Sequence, residues 1–187
     1  YTKFDFDTTV KLQDRTPRTF DELFSYFSLL GSVEITIVLC IAMALLFILR
    51  GKLLGLIGCF MIVPATVAEI YGKLVLFHPG PPVLFHRSLL PTTLPSFYVH
   101  TDFSYPSGHM TRTMFIVTIL GVWVLLSKRS FLSKFIFLSG LATLSFAMDI
   151  TRVRLGEHWT SDVLGGILLG SGMVFLASVL IFRTKRL

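Results

Sequence analysis

Residues 107–127 read Ser-Gly-His-Met-Thr-Arg-Thr-Met-Phe-Ile-Val-Thr-Ile-Leu-Gly-Val-Trp-Val-Leu-Leu-Ser and run straight into Lys128-Arg129-Ser130. About 20 mostly apolar residues in helical conformation cross a ~30 Å hydrocarbon core. The basic cluster that closes the run is a typical membrane-boundary signal. Similar stretches lie at roughly 32–49, 53–77, 132–150 and 162–182. The second holds Pro64, where a kink is expected. Composition agrees: the 187 residues are 53% hydrophobic and 15% charged, with a mean hydropathy of +0.74. A soluble domain carries about 25% charged residues. The chain therefore reads as an all-α membrane protein, a bundle of about five spanning helices.

Outward from these spans, residues 1–19 are polar and mixed in charge, with Pro17. They are expected to form an extended extracytoplasmic arm. Residues 20–187 are expected to form one helical membrane domain. Phe20, Leu23, Phe24, Phe27 and Leu30 recur at helical spacing, with Asp21 and Glu22 in the first turn. This predicts a short helix in the interface. The 78–106 connection is long and rich in proline (Pro79, Pro81, Pro82, Pro91, Pro95), which suits a functional loop. Cys40 and Cys59 lie inside apolar runs, where cysteine behaves as a small hydrophobe, so no disulfide is expected.

The basic residues orient the bundle. Arg50 and Lys52, then Lys128, Arg129 and Lys134, then Arg183, Lys185 and Arg186 fall at one end. By the positive-inside tendency that end is cytoplasmic. The net charge of +6 thus reflects topology rather than nucleic-acid binding, because the cations cluster at helix ends. The 78–106 and 151–161 loops face the other side. Residues 1–31 also fall outside with no visible export signal, so a spanning helix upstream of Tyr1 is expected.

Both of these outer loops carry chemistry. In Tyr105-Pro106-Ser107-Gly108-His109, the proline suits a helix start. The following N–H groups can hold an anion, Gly108 allows close backbone approach, and His109 sits beside any bound phosphate. The second motif is Thr151-Arg152-Val153-Arg154-Leu155-Gly156-Glu157-His158-Trp159-Thr160-Ser161-Asp162. With His158 already helical, Asp162 shares its face at i+4 and can fix the ring tautomer. A histidine so held can attack phosphorus. Arg152 offers a planar fork to phosphate oxygens, and Arg154 is placed at the rim. Lys73 follows Glu69 by four residues, the favourable order for an ion pair near a membrane boundary. Each of these residues also has an ordinary structural reading as a cap, a snorkelling lysine or a capping pair. No set of His, Cys, Asp and Glu has metal-ligand spacing, so no metal and no cofactor are expected. The Gly166–Gly170 pair is a small-residue face for helix packing and carries no function of its own.

These motifs in this order resemble the type 2 phosphatidic acid phosphatase (PAP2) superfamily of integral membrane lipid phosphatases. Its patterns are K-x6-R-P, P-S-G-H and S-R-x5-H-x3-D. The second is intact at Pro106-Ser107-Gly108-His109. The third is Thr151-Arg152, then His158 and Asp162, with threonine for serine. The first begins at Lys73 but ends in Gly80-Pro81, so the motif arginine is replaced by glycine. The resemblance spans roughly residues 20–183. It implies that His158 is the nucleophile, Asp162 its orienting group and His109 the general acid. It implies that Lys73, Ser107, Gly108 and Arg152 hold the phosphate, with Arg87 or His78 as candidates for the missing arginine's role.

The family's usual six spanning helices again imply a first helix upstream. The implied activity is metal-independent removal of phosphate from a membrane lipid phosphate or isoprenoid pyrophosphate, through a phosphohistidine. Its partners are the lipid substrate and the bilayer, with no nucleic acid, and its setting is a bacterial plasma membrane with the site extracytoplasmic. The competing readings are a non-catalytic lipid-phosphate binder of the same fold, for which Gly80 speaks, and a transporter or channel.

Overall fold

The computed structural model describes residues 2–51, 53–90, 101 and 103–184. Lys52, Pro91, Pro95, Lys185 and Arg186 lie outside the described residues. The described chain is helical. Its helices are α1 (Lys3–Arg15), α2 (Asp21–Ser28), α3 (Val33–Leu49), α4 (Leu54–Phe60), α5 (Ile62–Val75), α6 (Gly108–Leu126), α7 (Phe131–Arg154) and α8 (Thr160–Thr184). Among the described residues, four segments are long and apolar enough to cross a membrane: Gly55–Val75, Gly108–Leu126, Phe131–Arg154 and Thr160–Val179. A fifth arises if α2 and α3, bent by 46° at their junction, count as one span.

Residues 1–19 depart from expectation. Instead of an extended arm they form α1, opened by a capping box in which Thr2 and Asp5 exchange hydrogen bonds. The buried stripe of α1 is polar: Asp5, Thr9 and Gln13. Gln13 donates to the carbonyls of Phe85 (2.7 Å) and Arg154 (2.8 Å). Asp5 accepts from the Ser161 N–H at 2.9 Å, at the first turn of α8. An apolar-periodicity test is blind to a helix that buries its polar face.

The same inversion governs α2. It occupies the expected place, flanked by 3-10 turns at Arg18–Phe20 and Leu29–Gly31. Its buried residues are Asp21, Ser25 and Ser28, while Phe20, Leu23, Tyr26 and Leu30 are exposed. Those four residues point away from the bundle, as an interfacial helix requires, while Phe27 packs on the core and Phe24 lies against Arg154.

The second span is broken between α4 and α5 at Met61. Pro64 is the third residue of α5, where its missing N–H leaves no intrahelical bond unmade. Helix α6 is the axis of the bundle, and α8 lies along it. A Cβ on Gly166 would fall 2.6 Å from Ser107 O, and one on Gly170 would fall 2.2 Å from Thr111 O. Those two glycines let the α6 and α8 backbones approach closely. Helix α7 runs four residues past the expected 150, so Thr151 to Arg154 form its buried last turn rather than a loop. The true connection to α8 is only Leu155–Trp159.

Arg50, Lys128 and Arg129 line one cavity at the far end of α6 from Gly108. With 19 residues at ~1.5 Å rise each, the two ends of α6 stand ~28 Å apart.

Candidate active site

The turn before α8 organises the site. Asp162 is the third residue of α8, and its Oδ2 accepts the Trp159 N–H at 2.9 Å. The same oxygen lies 3.3 Å from His158 Nδ1. His158 therefore precedes the helix instead of sharing its face, and one carboxylate both caps α8 and orients the imidazole. Trp159 is fully buried and donates its indole N–H to Pro79 O at 2.9 Å.

His158 is buried too. Burial pushes its pKa below the ordinary histidine value, and the charges of Arg152 and Lys73 act in the same direction against the Asp162 hydrogen bond. The ring is thus favoured neutral at neutral pH. With Nδ1–H directed to Asp162, the lone pair is on Nε2.

Arg152 lies in the last turn of α7 at 3% exposure. Its guanidinium pairs with Glu157 and donates to Ser28 Oγ, while its Nε is buried with no partner. Ser88 Oγ donates to the other oxygen of Glu157. Arg154 is not a rim residue. It is wholly buried, paired with Asp21, bonded to the Thr16 and Pro17 carbonyls, and 4.8 Å from the Phe24 ring centroid. It pins the α1–α2 segment to the bundle.

At the start of α6, the Ser107 N–H donates to Asp162 O at 2.9 Å, which fixes that motif against α8. Ser107 Oγ is buried without a hydrogen-bond partner. His109 is buried at 3% exposure, and a Cβ on Gly31 would come within 3.0 Å of its ring and its own Cβ. Gly108 lies so close to Glu69 that a Cβ there would meet Oε1 at 1.9 Å. The expected Lys73–Glu69 pair forms at 2.9 Å.

The two candidates for the missing arginine part company. His78 Nδ1 comes to 2.9 Å from Asp162 Oδ1, although off the direction of a hydrogen bond, and its Nε2 is 3.3 Å from Ser161 Oγ. Arg87 turns to α1 instead. Its Nη1 donates to Gln13 O at 3.1 Å, and its N–H donates to Leu155 O at 2.9 Å. The structure therefore draws His78, and not the arginine, to the Asp162 carboxylate.

Sequence reasoning missed Arg112, Ser28 and Asp5. Arg112 had a signal, a charge inside an apolar span. It is buried and bonds Glu69 Oε2 and Gly31 O, each at 2.9 Å. Ser28 and Asp5 had none, because their partners are remote in sequence. Among the described residues, no cluster of three or more His, Cys, Asp or Glu is placed to hold a metal ion.

The model of the PAP2 superfamily matches residues 39–186. The chain belongs to that family. It is 31% identical to phosphatidylglycerophosphatase B of Haemophilus influenzae, with 74% of this chain and 73% of that protein covered. It is 38% identical to an undecaprenyl-diphosphatase of Sulfolobus acidocaldarius, over 41% of this chain and 33% of that one. Among solved structures, the PAP2-type phosphatidylglycerolphosphate phosphatase of Bacillus subtilis superposes with a TM-score of 0.67 at 21% identity, covering 97% of this chain and 86% of that one. LpxE of Aquifex aeolicus gives 0.64 at 20% identity, covering 95% and 96%. These two likenesses carry the fold; the family membership rests on the sequence matches.

Proposed function

We propose that this PAP2-family protein is a lipid phosphate phosphatase that works through a phosphohistidine and needs no metal. One observation carries the reading: a buried His158 has its Nδ1 on Asp162 and so presents Nε2 as a nucleophile, and burial lowers its pKa in favour of the free lone pair. Nε2 attacks phosphorus, the P–O bond to the lipid breaks, and His109 gives a proton to the leaving oxygen. Water then attacks the phosphohistidine, losing a proton to His109, and inorganic phosphate leaves. Lys73, Arg152 and Ser107 hold the phosphoryl oxygens, where fixed charge lowers the barrier. The partnerless Ser107 Oγ and Arg152 Nε are the groups such an anion would satisfy.

The names of the relatives point to phosphatidylglycerol phosphate and isoprenoid diphosphates as substrate classes. The basic residues at the far end of α6 support an extracytoplasmic site in a bacterial plasma membrane. A non-catalytic binder would need the cations but not the His158–Asp162 pairing.

Purified protein in detergent with EDTA should release phosphate from a panel of lipid mono- and diphosphates. Quenching in alkali, which preserves a P–N bond, should trap phosphate on His158. A strict metal requirement, or phosphate trapped elsewhere, overturns the mechanism.

A further inference from the structure

Glu69 lies between two cations. Its Oε1 is 2.9 Å from Lys73 Nζ and its Oε2 is 2.9 Å from Arg112 Nη1. All three side chains are largely buried, Lys73 the least so. Arg112 is one turn beyond His109 on α6, and its Nε reaches across to Gly31 O at 2.9 Å. Gly31 packs directly on His109, and Glu69 packs directly on Gly108.

We propose that Arg112 is a positioning residue for phosphate binding: by holding one oxygen of Glu69, it keeps that carboxylate from neutralising Lys73. The inference rests on the assignment of Lys73 as a phosphate ligand. The charge balance is its core. Lys73 and Glu69 alone form a neutral pair beside the α6 start, which would offer an incoming phosphate little attraction. With Arg112 the trio carries one net positive charge, and in a buried setting that charge is felt strongly. The contacts add geometry: the Arg112 fork joins α5, α6 and the Leu29–Gly31 turn at the place where Gly31 meets His109. A lysine at position 112 would keep the charge but could not bond Glu69 and Gly31 with the same planar fork.

The test is binding of inorganic phosphate to the detergent-purified protein, read as the rise in unfolding temperature with phosphate concentration. This readout does not depend on turnover. Glu69→Gln frees both cations and should tighten phosphate binding. Arg112→Gln leaves Glu69 to neutralise Lys73 and should weaken it roughly tenfold or more, the scale of one charged hydrogen bond. The double variant Glu69→Gln/Arg112→Gln restores the single positive charge and should return close to the wild-type affinity. Arg112→Lys should bind phosphate nearly as the wild type does, but turn over more slowly.

A merely structural ion pair predicts the reverse: Glu69→Gln no tighter, and the double variant no better than Arg112→Gln. Either result overturns the inference. If Arg112→Gln does not fold, the Glu69→Gln and double variants still decide, since neither leaves Glu69 unbalanced. Lys73→Gln runs in parallel. If it leaves phosphate binding unchanged, the Lys73 assignment is wrong and the inference falls with it. If Lys73→Gln weakens binding while Glu69→Gln does not tighten it, only the Arg112 inference falls.

Discussion

At the site end of the bundle four cations of the spanning helices, Lys73, Arg112, Arg152 and Arg154, are drawn inside and matched by carboxylates; at the other end Arg50, Lys128 and Arg129 face outward. Arg152 and Arg154 are 3% and 0% exposed, and each meets a carboxylate. Arg112 and Lys73 share a third. At the far end Arg50, Lys128 and Arg129 are exposed, and the Arg50 and Arg129 guanidinium groups lie over the Trp123 and Phe137 rings. Removing one partner of a buried pair strands a charge, at a cost of about 3–5 kcal/mol. Losing an exposed cation costs almost nothing. The contrast ranks what substitution should do.

The largest effect is expected at His158. His158→Ala should lower turnover by at least about 10³-fold, as removal of a nucleophile does. The helices around it should remain, since Asp162 still caps Trp159. Phosphate release and helical circular dichroism on one preparation measure both halves. Near wild-type turnover would remove His158 from the nucleophile's role.

Acidity probes the same ring without mutation. Burial, aided by Arg152 and Lys73, holds the His158 pKa below the ordinary ~6.5. As pH falls through that lowered value the ring gains a proton and loses its lone pair, so kcat/KM should fall about tenfold per pH unit there. Above it, this group leaves the rate flat. The acid limb should therefore lie below pH ~6.5. A limb centred above that value would contradict a desolvated His158.

The next largest effect distinguishes His78 from Arg87. His78 reaches the Asp162 carboxylate and Ser161, whereas Arg87 holds the Gln13 carbonyl on α1. His78→Ala should cut turnover roughly tenfold, the scale of one hydrogen bond such as that between its Nε2 and Ser161 Oγ. Arg87→Ala should leave turnover nearly intact and cost about 1 kcal/mol of stability through its lost bond to α1. The reverse order would mean that Arg87 swings onto the phosphate when substrate binds.

Much of this was legible in the sequence. The P-S-G-H motif opens one apolar run and the third motif joins two others, so the spans and the positions of His109, Arg152, His158 and Asp162 at their ends could be read from the sequence. What escaped was every contact made by a buried polar stripe. Helix α1 buries Asp5, Thr9 and Gln13, so no apolar period marked it, and its partners Ser161, Phe85 and Arg154 are at least 72 positions away. Hydropathy also failed to rank the spans. Helices α6 and α7 are equally apolar, yet about half of the apolar stretch of α6 is buried inside the protein and almost none of that of α7. Lipid and protein interior are equally apolar, so composition alone does not say which a helix faces.

Burial along the bundle gives a smaller and purely structural effect. Gly170→Ala would place a Cβ 2.2 Å from the Thr111 carbonyl oxygen, and Gly172→Ala would place one in open space on the same helix. Backbone gives way reluctantly, so Gly170→Ala should destabilise by about 1–3 kcal/mol. Gly172→Ala should be neutral or slightly stabilising, by up to about 1 kcal/mol, since alanine is the better helix former. Thermal unfolding in detergent compares them. Equal behaviour would mean that α6 and α8 do not pack at Gly170.

The smallest effect should come from the basic end. Arg50→Gln, Lys128→Gln and Arg129→Gln each remove an exposed charge that is ~28 Å from the site by the length of α6. Charges in contact with water are largely screened beyond ~8 Å at physiological salt. Each single variant should keep turnover within about twofold and stability within about 0.5 kcal/mol. In the proposed topology the three cations set orientation together, through how many remain at the boundary rather than through any one. Removing all three together should therefore increase the fraction of molecules inserted the wrong way round, while correctly inserted molecules keep their activity. Labelling of a cysteine introduced beside the site, in sealed vesicles with a membrane-impermeant reagent, measures that fraction. A single variant that lost turnover without changing orientation would show that the two ends communicate through α6, and the contrast between them would fail.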